Sequence, residues 1–216
     1  VLMSPALEAA CEALLCGQLP EHWRAVAFPS RKPLMSWIQN LRTRVSFVRR
    51  WREQGFDPPC CMIDLLWSPQ GFLVSVAQMT ARSQDSSMEE VSFQHRVMTA
   101  LEDASDVRTP PETGVFLFGV WLDGAHWDGQ ADTLASRRPR DVLCLMPVIH
   151  FLPQRHYTPD PTCTYRAPWY QTLARGSSAE AARSPGDFID VVYLPSDNGS
   201  ERWTLAGVAL ICQPES

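Results

Sequence analysis

Val115-Phe116-Leu117-Phe118-Gly119-Val120-Trp121-Leu122-Asp123-Gly124-Ala125-His126-Trp127-Asp128 decides the fold class of this protein. Val115 to Leu122 is a short, nearly unbroken apolar run rich in β-branched and aromatic residues, which predicts a buried strand. Asp123-Gly124 predicts a tight turn, and Ala125 to Asp128 the returning strand. Toward the C-terminus the same texture repeats. Leu134-Ala135 reads as a short strand, and Leu143 to Leu152 as a strand interrupted at Pro147, which implies an edge position. Cys163 to Thr172 is a further strand with Pro168 as a bulge or edge residue, and Arg175 to Gly186 is a small, polar, mobile connector. Phe188 to Leu194 and Trp203 to Cys212 predict a closing hairpin around Pro195 to Gly199. Toward the N-terminus, Val91 to Val97 alternates apolar and polar residues, the pattern of a half-buried strand.

Before Val91 the period changes from two to 3.6. Residues 5–16 place Leu7, Ala10, Cys11 and Leu14 on one face, with Ser4 as cap, Pro5 in the first turn and Gly17 as the stop. Residues 33–54 carry Leu34, Trp37, Ile38, Leu41, Val45, Val48 and Trp51 at steps of three and four. Ser30 is positioned to cap that helix, Gly55 to end it, and Asp57-Pro58-Pro59 to forbid its continuation. Residues 69–82 form a third helix whose inward face is Phe72, Leu73, Val76 and Met79. Cys60 to Trp67 is an apolar run that periodicity does not assign. Helices followed by strands give an α+β protein: a helical part, residues 1–87, then an incomplete antiparallel β-barrel, residues 88–216.

Composition restricts the functions available. At 216 residues with 45% hydrophobic and 20% charged residues, the sequence has the makings of an ordinary globular core. A net charge of −5 argues against nucleic acid as a partner, and no apolar run reaches membrane-spanning length. Seven cysteines, an odd number without zinc spacing and with no secretory leader, read as reduced thiols in a cytosolic-type compartment. No GxxxxGK[ST] loop exists, and the single lysine, Lys32, precedes a proline, so a phosphate cradle is not encoded. No GxSxG elbow is present. Cys60-Cys61 in apolar surroundings reads as buried and inert. Asp123, His126 and Asp128 match no metal-ligand spacing and read as turn and packing residues. His95 and His150 read as core histidines. The expected catalytic, metal and cofactor sets for this segment are therefore empty. The lack of an initiating methionine predicts the C-terminal piece of a longer polypeptide.

What remains is a surface. Trp37, Arg42, Arg49, Arg50 and Trp51 on the long helix combine the two residue types most enriched at interface centres, and they are the candidate interdomain interface. The early arginines contrast with the acidic run from Glu89 to Asp132, an asymmetry suited to docking on an acidic neighbour.

Laid in order, the segments resemble the C-terminal domain of dynein heavy chains. The matching strings are Leu19-Pro20 with Trp23; Phe28-Pro29-Ser30 and Lys32-Pro33-Leu34 with Ser36-Trp37; Pro69-Gln70-Gly71-Phe72-Leu73 with Ala81-Arg82; Pro110-Pro111 with Gly114-Val115; and Leu122-Asp123-Gly124-Ala125 with Trp127-Asp128. Met146-Pro147-Val148-Ile149, Pro168 with Tyr170 and Thr172, Leu194-Pro195, and Trp203 with Gly207-Val208-Ala209-Leu210 and Cys212-Gln213 complete the series. Each string alone is weak; the ordered set is specific. Where such domains carry an aromatic-rich run before Pro69, this protein has Cys61-Met62-Ile63-Asp64-Leu65, which marks a divergent member, of the ciliary or flagellar kind. The resemblance implies a non-catalytic domain lying on an AAA+ motor ring. Other parts of the parent would hold ATP and magnesium and reach microtubules and the intermediate and light chains, in cytoplasm, cilium or flagellum. A stand-alone β-barrel that binds a protein partner is the alternative.

Overall fold

The computed structural model describes residues 3–27, 33–171, 188–197 and 199–212, and the polypeptide divides in sequence after Phe56 into a helical unit and a β unit. The helical unit contains α1 (Pro5–Leu15), α2 (Glu21–Arg24) and α3 (Leu34–Gln54). Ser4 caps α1 as expected, its hydroxyl accepting the Leu7 N–H at 3.3 Å. Gly55 ends α3 in the left-handed conformation, φ 72°. Pro33 occupies the N-cap position of α3; the expected cap, Ser30, lies outside the described residues. The apolar stripe of α3 is only partly sequestered. Leu34 and Trp37 are buried, Ile38, Leu41 and Trp51 half-buried, and Val45 and Val48 are exposed by 41% and 40%. The most buried side chain of α3 is Arg44, which donates from Nε to Asn40 Oδ1 at 2.7 Å.

The β unit opens with a two-residue strand, β1 (Cys61–Met62), a 3-10 turn (Ile63–Leu65) and α4 (Pro69–Ser83). The run Cys61 to Leu65 is core: Cys61, Ile63 and Leu65 are all buried. Ser68 caps α4 by accepting the Gly71 N–H at 3.2 Å. The inward face of α4 is Leu73, Ala77 and Ala81; Met79, expected to face inward, is exposed.

Two large sheets and a small ribbon follow. The strands are β2 (Val91–Val97), β3 (Val115–Phe118), β4 (Val120–Asp123), β5 (Ala125–Asp128), β6 (Thr133–Ser136), β7 (Leu143–Leu145), β8 (Ile149–Arg155), β9 (Thr164–Tyr170), β10 (Phe188–Pro195) and β11 (Ala209–Cys212). One sheet has the order β1-β3-β8-β2, the other β10-β9-β11-β4-β7, and β5 pairs with β6. The run Val115 to Leu122, expected as one strand, is two. Gly119 (φ 90°) bends it, so β3 serves the first sheet and β4 the second. A Cβ at Gly119 would stand 3.3 Å from Asp64 Oδ1 in a backbone region L-residues avoid, so glycine is required there. The expected break at Pro147 is real and does the same on the neighbouring strand: β7 pairs with β4 and β8 with β3. The Met146 N–H to Val120 O bond, 2.9 Å, fastens the shared corner. Only the first half of that interrupted run is at an edge, since β8 lies between β3 and β2.

The remaining differences share a cause: the partner of each strand is distant in sequence. Asp123-Gly124 does not make a hairpin, because β11 and β7 already occupy both edges of β4. Residues 203–212 are not one strand. Gly199–Leu205 forms α5, with buried Trp203 donating Nε1–H to Ser196 Oγ at 2.6 Å, and only Ala209–Cys212 is β. That helix carries the backbone past β9, so β10 and β11 lie on opposite sides of β9. Pro168 sits where the β11 ladder has not yet begun; β11 reaches only Trp169 and Tyr170. The β1·β3 and β11·β9 pairs are parallel, so the unit is mixed α+β with a largely antiparallel pattern. No sheet closes into a barrel among the described residues. The sheets face one another through Phe151 and Trp169, whose ring centroids are 5.6 Å apart. The expected connector Arg175 to Gly186 lies outside the described residues.

Candidate functional site

On α3 the five predicted interface residues separate into two faces. At about 100° per residue, Trp37 and Trp51 fall roughly 40° apart, while Arg42 and Arg49 lie on the opposite half of the helix. Trp37 is buried, and Trp51 is half-buried and edge-on to Phe47 at 5.9 Å between centroids. Arg42, Arg49 and Arg50 are exposed. The tryptophans thus share one side of α3, about 21 Å apart along its axis, and the arginines face outward. Around them the helical unit is unusually apolar outside: Met3, Leu7, Leu15, Trp23, Val26, Met35 and Phe56 are exposed along with Val45 and Val48. Leu15 and Val26 are each 87% exposed. Only Ala10, Leu34 and Trp37 form its buried apolar set among the described residues. Sequence periodicity found the inward stripe; exposed Leu15 and Val26 had no periodic signal to betray them.

A second feature was missed entirely. Where β2 and β10 approach, a cleft of about 490 Å³ opens, lined among others by Leu73, Phe93, His95, Arg166, Asp190 and Tyr193. Here His95 joins one sheet to the other: its Nδ1 accepts the Tyr193 N–H at 3.2 Å. An accepting Nδ1 puts the ring proton on Nε2, and the ring meets Phe151 edge-on at 4.6 Å between centroids. Burial pushes the His95 pKa down to about 3, so the imidazole is neutral. Two residues back, the Val191 N–H is taken by the Asp190 carboxylate at 2.8 Å, and burial holds that carboxyl above its ordinary range against this bond. Two residues on is Pro195, which has no N–H. Alternate N–H groups on the outer edge of β10 are therefore capped or absent, a pattern that discourages strand addition.

The groups weighed for chemistry serve packing. Cys60 and Cys61 are buried, with thiols pushed up to about 12 chiefly by burial, then by Asp103 for Cys60 and by Cys60 and Asp57 for Cys61. Neutral, enclosed thiols are poor nucleophiles. Asp128 accepts the Gln130 and Ala131 N–H groups at 2.9 and 3.3 Å, closing a turn, and this holds its carboxyl below the usual range. Among the described residues no three metal-capable side chains cluster. His150 Nε2 lies 2.8 Å from the Thr113 carbonyl oxygen. No described helix is long and apolar enough to cross a membrane.

Comparison with known proteins gives the family. The family model for the C-terminal domain of the dynein heavy chain matches residues 1–212. The sequence is 33% identical to human dynein axonemal heavy chain 6 over 99% of its own length and 6% of that protein's. It is 34% identical to mouse dynein axonemal heavy chain 1, covering 98% of its own length and 5% of the relative. With human dynein axonemal heavy chain 12 the identity is 33%, over 99% of its own length and 7% of the relative. These 216 residues thus span a small fraction of the length of the relatives they match.

Proposed function

Because this protein belongs to the family of dynein heavy chains' C-terminal domains, we infer that it is a non-catalytic regulatory domain docked on the AAA+ ring of an axonemal-type motor. One observation carries this reading. The helical unit exposes nine large apolar side chains and buries three apolar residues among those described, a balance expected of a surface that finishes its packing on something else. In this reading the helical unit is the docking arm. The two sheets, bent into one another at Gly119 and Pro147 and latched by His95 and Tyr193, act as an incomplete barrel that holds its shape. ATP and magnesium are bound by other modules of the parent polypeptide. Microtubules and the intermediate and light chains are met through those parts as well, in a cilium or flagellum.

The mechanism is mechanical. A bound domain shifts the ring between states only by contacting them unequally. A differential of about 1–3 kcal/mol changes populations by about 5- to 150-fold, enough to retune a motor without any chemistry in these residues. The test is removal of residues 1–216 from the complete polypeptide. ATP turnover is expected to persist while its dependence on load or on microtubules changes. Loss of nucleotide binding in a folded truncation, or unchanged motor behaviour, would overturn the assignment.

A further inference from the structure

One stripe of α3 is left over by the packing described above. Met35, Ile38, Arg42, Val45, Arg49 and Arg52 follow one another at steps of three, four, three, four and three, the spacing of a coiled-coil seam. The stripe runs about 25 Å along the helix. Met35 is 75% exposed, Val45 41%, the three arginines are exposed, and Ile38 is half-buried. None of the three guanidiniums forms an ion pair among the described residues.

The charge is as specific as the spacing. Five arginines and one glutamate give α3 a charge of +4, which leaves −9 for the rest of the sequence. Every basic residue of α3 is arginine. Arginine forms bidentate pairs with carboxylates and keeps its charge when water is excluded, whereas lysine is the more strongly hydrated point charge. Alternating arginines with Ile38 and Val45 therefore matches a partner that offers carboxylates and apolar side chains in the same register. A second copy of α3 is disfavoured by like charge.

We propose that the Met35–Arg52 stripe seats an acidic amphipathic helix, with apolar side chains opposite Met35, Ile38 and Val45 and aspartates or glutamates opposite Arg42, Arg49 and Arg52. The inference rests on the reading of the helical unit as a docking arm and adds the partner's chemistry to it.

The experiment places p-benzoylphenylalanine at Val45 in the complete polypeptide, irradiates the assembled protein, and identifies the cross-linked peptide by mass spectrometry. A helical segment with carboxylates at three- and four-residue spacing is expected. The triple variant R42E/R49E/R52E should lower that yield about tenfold or more, and reversing the partner's carboxylates to arginine should restore it. A cross-link to a ring segment without such carboxylates would overturn the acidic-helix proposal while leaving ring docking intact. Cross-linking to lipid, nucleic acid or a second copy of the protein would also overturn it. An absence of any cross-link, with the variant folded by circular dichroism, would overturn both readings.

Discussion

The helical unit and the β unit bury their apolar side chains to opposite extents. Among the described residues the β unit sequesters thirty-three apolar side chains and exposes eight large ones; the helical unit sequesters three and exposes nine. The β unit holds Phe151, Trp169, Leu122 and Leu210 at essentially zero exposure between two sheets that share bent strands. In the helical unit the side chain most thoroughly removed from water is a guanidinium, Arg44. In the proposed reading the well-packed unit is a frame and the unit with the open apolar surface an attachment. Stability should therefore be decided almost entirely in the β unit.

The largest expected effect is at Trp203. It is 2% exposed, donates to Ser196, and pins α5 across the strand crossing. Trp203→Ala should destabilise the protein by about 3–5 kcal/mol in urea denaturation. A change below about 1 kcal/mol would mean that the β unit is not the cooperative frame described.

Next comes the seam. His95 has a folded pKa of about 3 against an ordinary 6.5, because burial disfavours its charged form. The unfolded state takes up this proton first, so the contribution is intact above pH 6.5 and is lost as pH falls from there toward 3. The slope is about 1.4 kcal/mol per pH unit, or about 2 kcal/mol by pH 5. His95→Gln keeps an acceptor for the Tyr193 N–H but does not titrate. The difference in stability between the two proteins should therefore change by that amount between pH 7 and 5. Parallel pH profiles would show that the imidazole is not enclosed.

A smaller effect is expected at the corner. Gly119→Ala places a Cβ near Asp64 at φ 90°, for a loss of about 1–2 kcal/mol. An unchanged urea midpoint would show that the two sheets do not depend on that bend.

Local rules carried the sequence reading as far as local causes reach. Ser4, Gly55 and Pro69 set helix ends through their own backbone chemistry, and each end falls where they put it. Val91 to Val97 reads as a half-buried strand because one strand shows its own period. Pro147 breaks a strand because it lacks an N–H. The sheet change at Gly119 is not legible this way, since it rests on pairing with β8 on one side of the bend and with β7 and β11 on the other, all distant in sequence. Nor is α5, whose Trp203 needs the Ser196 hydroxyl and a site beneath β9 to outweigh the β character of its neighbours. On α3 the two faces are legible in the sequence, because a helix advances about 100° per residue: Trp37 and Trp51 fall on the apolar stripe and the arginines largely off it. The capped edge of β10 involves a partner ninety-eight residues away in sequence, His95 for Tyr193.

The smallest effect is the most diagnostic of the contrast between units. Leu15 and Val26 are 87% exposed, so Leu15→Ser and Val26→Ser remove little buried area. Each should shift the urea midpoint of the 216-residue protein by less than about 0.5 kcal/mol equivalent. The same Leu→Ser change at Leu122, fully buried on β4 between β11 and β7, removes a core side chain and buries a hydroxyl in its place, for a loss of about 3 kcal/mol or more. If the helical unit is the proposed docking arm, the order should invert for association in the complete polypeptide: the helical-unit variants should weaken attachment to the ring while the domain itself stays folded. If Leu15→Ser destabilised the isolated protein as much as Leu122→Ser, the exposed leucine would be part of a core after all. The helical unit would then be a second frame rather than an attachment.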